Sequence, residues 1–173
     1  MTDSTVPIFI LTAELDAESF AWLDGLRRAH FPAERNFLSA HLTMFHRLSP
    51  AHIERLLAIP LPSGPMKIAF TGVTFLGFGS AIRATSGELE RLREELKDGM
   101  SDEFSRQDSQ RWSPHVTVQN KVPPDEARGL FRTLGDTFTA RDGEALGLLV
   151  WEYLGGPWKL VRRLPFAPKA SPL

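Results

Sequence analysis

The order of apolar and polar positions divides the chain into short strands and amphipathic helices. Residues 7–15 (Pro-Ile-Phe-Ile-Leu-Thr-Ala-Glu-Leu) are a β-rich apolar run that predicts a buried strand. Asp16 can cap the helix that follows, in which Phe20, Leu23 and Leu26 fall near helical spacing and His30 sits in the last turn before Phe31-Pro32. Residues 37–47 predict a second strand. Ser49-Pro50 then opens a helix with the apolar stripe Ile53, Leu56 and Leu57, closed by Pro60 and Pro62. His52 is expected in the exposed first turn of that helix, without a role.

Strands are predicted over residues 66–76 and 80–85, joined by the turn Gly77-Phe78-Gly79. Thr85 and Glu88 have the spacing of a capping box for a helix that turns Leu89, Leu92 and Leu96 inward. Its charges, Arg93 among them, are expected on the solvated side. Residues 101–111 are polar and aperiodic and read as a loop with the composition of a mobile one. A strand over residues 115–122 leads to Pro123-Pro124-Asp125, which opens a helix with Ala127, Leu130, Phe131 and Leu134 on one face. Two β-rich runs, 144–153 and 158–166, are joined through the hairpin signal Leu154-Gly155-Gly156-Pro157, and Pro165, Pro168 and Pro172 mark the end of the fold. No low-complexity linker intervenes, so residues 1–173 are expected to form one bilobal α+β domain. Its two similar lobes would carry mostly antiparallel sheets with helices on their outer faces.

Composition narrows the function. The 173 residues, 42% hydrophobic and 24% charged, are those of an ordinary globular protein. A net charge of −1 provides no global field for a long polyanion, so a nucleic-acid partner should be small or gripped at one end. The absence of cysteine removes disulfides, thiolate zinc sites and a cysteine nucleophile together. No signal-peptide pattern and no membrane-length apolar run are visible, which leads to the expectation of a cytoplasmic monomer without a membrane partner.

Two stretches of one form then stand out: His41-Leu42-Thr43-Met44 and His115-Val116-Thr117-Val118. Composition alone yields about 0.3 His-x-Thr triplets in such a chain, a motif false-positive rate that two occurrences exceed. On a strand, His and Thr at i and i+2 share one face and the apolar pair the other. The flanks repeat too, with Ser39 and Ser113 two residues before each His and a proline-opened helix after each strand, the pattern of an internal duplication. Two imidazoles facing one cleft suit proton transfer near neutral pH, one taking a proton from water and the other giving one to a leaving oxygen. Hydroxyl donors beside them make a small anion site suited to displacement at phosphorus. His46, at an odd offset from His41, is expected on the opposite face of a regular strand.

The paired motifs resemble the two signatures of the two-histidine phosphoesterase superfamily, which includes bacterial 2'-5' RNA ligase-like proteins and 2',3'-cyclic phosphodiesterases. Phe45, Trp112-Ser113-Pro114, Gly155-Gly156-Pro157-Trp158 and Leu164-Pro165-Phe166 agree with that resemblance, which covers residues 7–166. It implies two pseudo-symmetric lobes around a central cleft. It also implies hydrolysis or formation of phosphodiesters at a ribose 2'-oxygen, without metal or other cofactor. Carried over by position, His41 and His115 are the implied acid/base pair, with His115 activating water and His41 protonating the leaving oxygen. Thr43 and Thr117 are the implied phosphate donors. The expected partner is a nucleotide with a cyclic phosphate or an RNA terminus. Further candidate contacts are Arg83, Lys121, and Trp112 or Phe37 as a base-stacking platform, although packing is the commoner role of such residues. Two other readings stand beside this one. A binding module would hold a nucleotide or RNA end without turnover. A metallohydrolase would add a carboxylate to the histidines, but neither motif has one on its His face within two positions.

Overall fold

Strand β1 (Phe9–Leu15) is buried at nearly every position, and Asp16 accepts the Ser19 N–H at 2.9 Å to start α1 (Ala17–His30). A 3-10 turn (Ala33–Arg35) leads to β2 (Leu42–Leu48), after which Ser49 caps α2 (Pro50–Leu57). The hairpin of β3 (Met66–Phe75) and β4 (Ser80–Thr85) turns through Gly77, whose φ of 91° favours glycine. Then come α3 (Gly87–Met100), the four-residue α4 (Arg106–Ser109), β5 (His115–Gln119) and α5 (Pro124–Thr137). The long β6 (Arg141–Tyr153) and β7 (Trp158–Pro165) form the final hairpin. This computed structural model describes residues 5–101 and 103–168, so residues 1–4, Asp102 and residues 169–173, Pro172 among them, lie outside the described residues.

The seven strands form one antiparallel sheet in the order β2-β1-β6-β3-β4-β5, with β7 beside β6. The α+β expectation with antiparallel strands is met. The order is symmetric in use: β1–α1–β2–α2 is answered along the chain by β4–α3–β5–α5, and each motif strand pairs with the first strand of its half. By order β2 and β5 are the two ends of the sheet, yet they meet. Trp112 Nε1, just before β5, donates to the Thr43 carbonyl in β2 at 3.0 Å. The sheet is therefore curled, its twist carried far enough to bring its ends together. Leu42, Met44, Val116 and Val118, the apolar members of the motifs, are fully buried. Each contributes roughly 1.5–3 kcal/mol by leaving water.

Several local expectations are corrected. The cap of α3 is Ser86, whose Oγ accepts the Leu89 N–H, while Thr85 stays in β4 and Glu88 accepts the Lys67 N–H. Phe20 and Leu57 are exposed, while Leu23 is buried as its spacing predicts and α1 also buries Ser19 and Arg27. On α5 only Ala127 is buried, while Phe131, 38% exposed, rests against Phe75. His52 is not an exposed first-turn residue but 4% exposed. It takes the acceptor place of a capping box, receiving the Ser49 N–H on Nδ1 at 3.0 Å, and stacks on Phe104. Residues 103–111 are also not a free loop, since α4 holds Asp108 fully buried and hydrogen-bonded to β2.

Gly79 supports the second motif strand from beneath. A Cβ there would collide with the Gln119 carbonyl at the end of β5. Gly79→Ala should cost about 1–3 kcal/mol of stability, as overpacking does, read as a lower urea midpoint; an unchanged midpoint would show that β5 shifts freely.

Candidate active site

A cavity of about 410 Å³ opens where β2 and β5 meet, and His41, Thr43, His115 and Thr117 all line it. Their positions follow from the duplicated pattern: His41 immediately precedes β2 and His115 opens β5, each Thr stands two residues on, and the residues between them go to the core. The histidines are held alike. His41 Nδ1 lies 2.8 Å from the Ser39 carbonyl and His115 Nδ1 lies 2.8 Å from the Ser113 carbonyl. A carbonyl can only accept, so the neutral ring carries its proton on Nδ1 and keeps Nε2 as the nitrogen that exchanges one. The repeated Ser flanks thus position the imidazoles through their backbone oxygens.

The His41 ring packs on Trp158 with centroids 4.6 Å apart. Although an edge remains open to solvent, burial pushes its imidazolium down to about 4, assisted by the positive charges of Arg27, His115 and His46 and opposed by the Ser39 carbonyl. In the free cavity His41 is therefore neutral at pH 7.

Two buried arginines brace the site, and each crosses to the other half. Arg27 on α1 donates to the Thr117 carbonyl on β5 at 3.1 Å and to the Leu38 carbonyl ahead of β2 at 2.9 Å. Its desolvation lowers it to about 10, and its guanidinium lies over Phe31. Arg93 on α3 donates to the Met44 carbonyl on β2 at 2.8 Å and to the Asp108 carbonyl at 3.0 Å, lying over Phe45. Its expected place on the solvated side of α3 is thus corrected, since the carbonyls and the Asp108 charge compensate its burial.

His46 also lines the cavity, contrary to the parity argument. The cause is a bulge: Leu11 pairs with Phe45 while its neighbour Thr12 pairs with Thr43, so β2 carries one extra residue. Met44 and Phe45 are consecutively buried, and the next side chain is re-aimed to the face of Thr43. Trp112 lines the cavity as well. Of the other candidates, Phe37 is 64% exposed and does not line it, and neither does Lys121, exposed beyond β5 at φ 61°. Arg83 bonds Thr71 Oγ1 at 3.3 Å and lines a neighbouring depression with Arg111 and Trp112.

Sequence reasoning missed Trp158, Arg93, Gln107, Gln110 and Arg111 on the wall. The last three come from the segment read as loop, whose immediate junction with Trp112-Ser113-Pro114 was the available signal. No lining residue is Asp or Glu. Among the described residues no cluster of three or more His, Asp or Glu is fit to hold a metal ion. A chain of net charge −1 thus presents a locally cationic, donor-rich cavity, a site for an anion.

Comparison with known proteins places the fold and the family. Solved structures share the fold at low identity. TT0787 of Thermus thermophilus has 13% identity and a TM-score of 0.65, over 94% of this chain and 100% of that one. E. coli LigT in its complex with NADP+ has 14% identity and a TM-score of 0.58, over 94% and 99%. LigT with 3'-AMP has 14% identity and a TM-score of 0.59 over the same shares. A search of curated proteins gives no match. The family model of the 2'-5' RNA ligase superfamily matches residues 15–156, which include both motifs, the bulge and the arginine braces. The chain belongs to the 2'-5' RNA ligase superfamily of two-histidine phosphoesterases.

Proposed function

We propose that the protein is a metal-independent phosphoesterase that opens a 2',3'-cyclic phosphate, on a nucleotide or an RNA end, to a 2'-phosphate. The observation that carries this reading is the pair of identically held imidazoles, His41 and His115, in one carboxylate-free cavity. The cyclic phosphate lies between them, with the Thr43 and Thr117 hydroxyls donating to its non-bridging oxygens. His41 enters neutral, the state of a base, so its Nε2 takes the proton from water as the oxygen attacks phosphorus. The bond to the 3'-oxygen breaks, and protonated His115 gives that oxygen its proton. This exchanges the roles expected from the motif resemblance, in which His115 served as base. With a 5'-hydroxyl end attacking in place of water, the same steps would form a 2'-5' linkage, and run backwards they would cleave it to the cyclic phosphate. LigT has been crystallised with 3'-AMP and with NADP+, which supports a nucleotide as the ligand here.

Phosphorus NMR of adenosine 2',3'-cyclic phosphate with the protein tests the reaction. The cyclic resonance should be replaced by that of the 2'-monoester, undiminished after exhaustive chelation. Binding without turnover would instead establish a module that holds nucleotide ends, and loss of turnover on chelation would establish a metal-dependent hydrolase. The role assignment has its own test in the pH profile. As pH falls, protonation of His41 removes the base, so kcat/KM should hold on the acid side until about pH 4. An acid limb near the ordinary value of 6.5 would place the base elsewhere.

A further inference from the structure

Resting on the reading above, we propose that the cavity contains a second phosphate-binding subsite, formed by His46, Arg111, Gln107 and Gln110. It would make the protein selective for substrates that carry a second phosphate beside the cyclic one. Four observations support it. First, the β2 bulge places His46 on the same face as Thr43, two to three strand steps along, which is roughly 7–10 Å at ~3.3 Å per residue. That is far enough to meet a different group of the substrate and near enough for one chain to span.

Second, His46 is built in rather than merely exposed. Its Nδ1 donates to Asp108 Oδ1 at 3.1 Å, and the ring side chain keeps 36% of its surface open, leaving Nε2, which donates when the ring is the imidazolium paired with that carboxylate, for a ligand. Asp108 is itself fixed by the His46 and Arg47 N–H groups and by Ser105, so the ring's orientation is set before anything binds. Third, among the described residues Arg111 has no carboxylate partner, and it lines the same cavity as Gln107 and Gln110. Fourth, the reaction between His41 and His115 uses none of these groups. A donor surface free of carboxylates, beside a site for one phosphate, matches a second phosphate in charge and in hydrogen bonding.

The second phosphate has two sources, the 5'-phosphate of the same nucleotide or the next phosphodiester of an RNA chain. Three substrates separate them: adenosine 2',3'-cyclic phosphate, its 5'-phosphorylated form, and a diadenylate ending in the cyclic phosphate. At least one of the two-phosphate substrates should be preferred in kcat/KM by about 10–100-fold, chiefly through KM, the range of charge-assisted hydrogen bonds. The preferred one names the source. His46→Gln and Arg111→Ala should each reduce that preference about tenfold. Arg111 is exposed, so its substitution tests the subsite even if His46→Gln perturbs folding. Equal use of all three substrates, or a preference that survives both substitutions, overturns the subsite. If no cyclic phosphate is turned over, the reaction reading falls, and calorimetry with adenosine 3',5'-bisphosphate against 3'-AMP decides the subsite alone. Tighter bisphosphate binding that is lost in Arg111→Ala supports it, and equal binding overturns it.

Discussion

His41→Ala and His115→Ala are each expected to slow opening of the cyclic phosphate by about 10²–10⁴-fold, the range for removing a positioned acid or base. The fall should appear in kcat more than in KM, because the two hydroxyls proposed to hold the cyclic phosphate remain. Both rings are half-buried, each makes one hydrogen bond to a carbonyl that water can replace, and His41 adds only its contact with Trp158. Melting temperatures should therefore stay close to wild type, separating lost chemistry from lost fold. Because the imidazoles act in one step, the double variant should be little slower than the worse single one. Rates within threefold of wild type in either variant would remove that histidine from the mechanism.

The largest expected effect on stability belongs to Asp108. Its carboxylate accepts from the His46 N–H at 2.7 Å, the Arg47 N–H at 2.9 Å, His46 Nδ1 at 3.1 Å and Ser105 Oγ at 3.1 Å, with no surface exposed. Asp108→Ala strands these donors and removes the negative charge beside the buried Arg93. We expect a loss of about 3–5 kcal/mol, the range for breaking a buried charged arrangement. In a chain of this size that is a drop of roughly 6–20 °C in Tm. The pH dependence carries a sign. Burial raises the Asp108 pKa, but the hydrogen bonds from His46 and Arg47 and the His46 charge outweigh it, leaving it below 3.8. A depressed folded value means that the stabilisation is full above 3.8 and is lost as pH falls through the folded pKa. The Tm curves of wild type and Asp108→Asn should thus converge below pH 3.8. Curves that stay parallel would show that the Asp108 charge contributes nothing.

What could be read in advance was whatever local chemistry controls. Asp16, Ser49 and Pro124 begin helices because caps and proline act within one turn, and the two His-x-Thr stretches lie on one cavity because period-2 alternation sorts them. What could not be read depends on partners far along the chain. Burial of Arg27 needs the Thr117 carbonyl, 90 positions away, and burial of Arg93 needs that of Met44, 49 positions away. By local pattern both are surface charges. The α4 segment is too short to show a period, and its inward residue is an aspartate. His46 was misplaced because one inserted residue inverts every parity argument beyond it. Phe37 and Lys121 failed as cavity candidates for a simpler reason: they sit outside the motif strands, where no alternation constrains their direction.

The crossed arginines have a consequence for how a substrate is admitted. Arg27 ties the helix of the first half to the strand of the second, and Arg93 does the reverse, so i meets j and j meets i, as in a two-fold dimer interface folded into one chain. Neither half can swing outward without tearing a guanidinium from its carbonyls. The gap between the two imidazoles is therefore expected to keep its width when a ligand enters, so that free and phosphate-bound structures should superpose across the cleft.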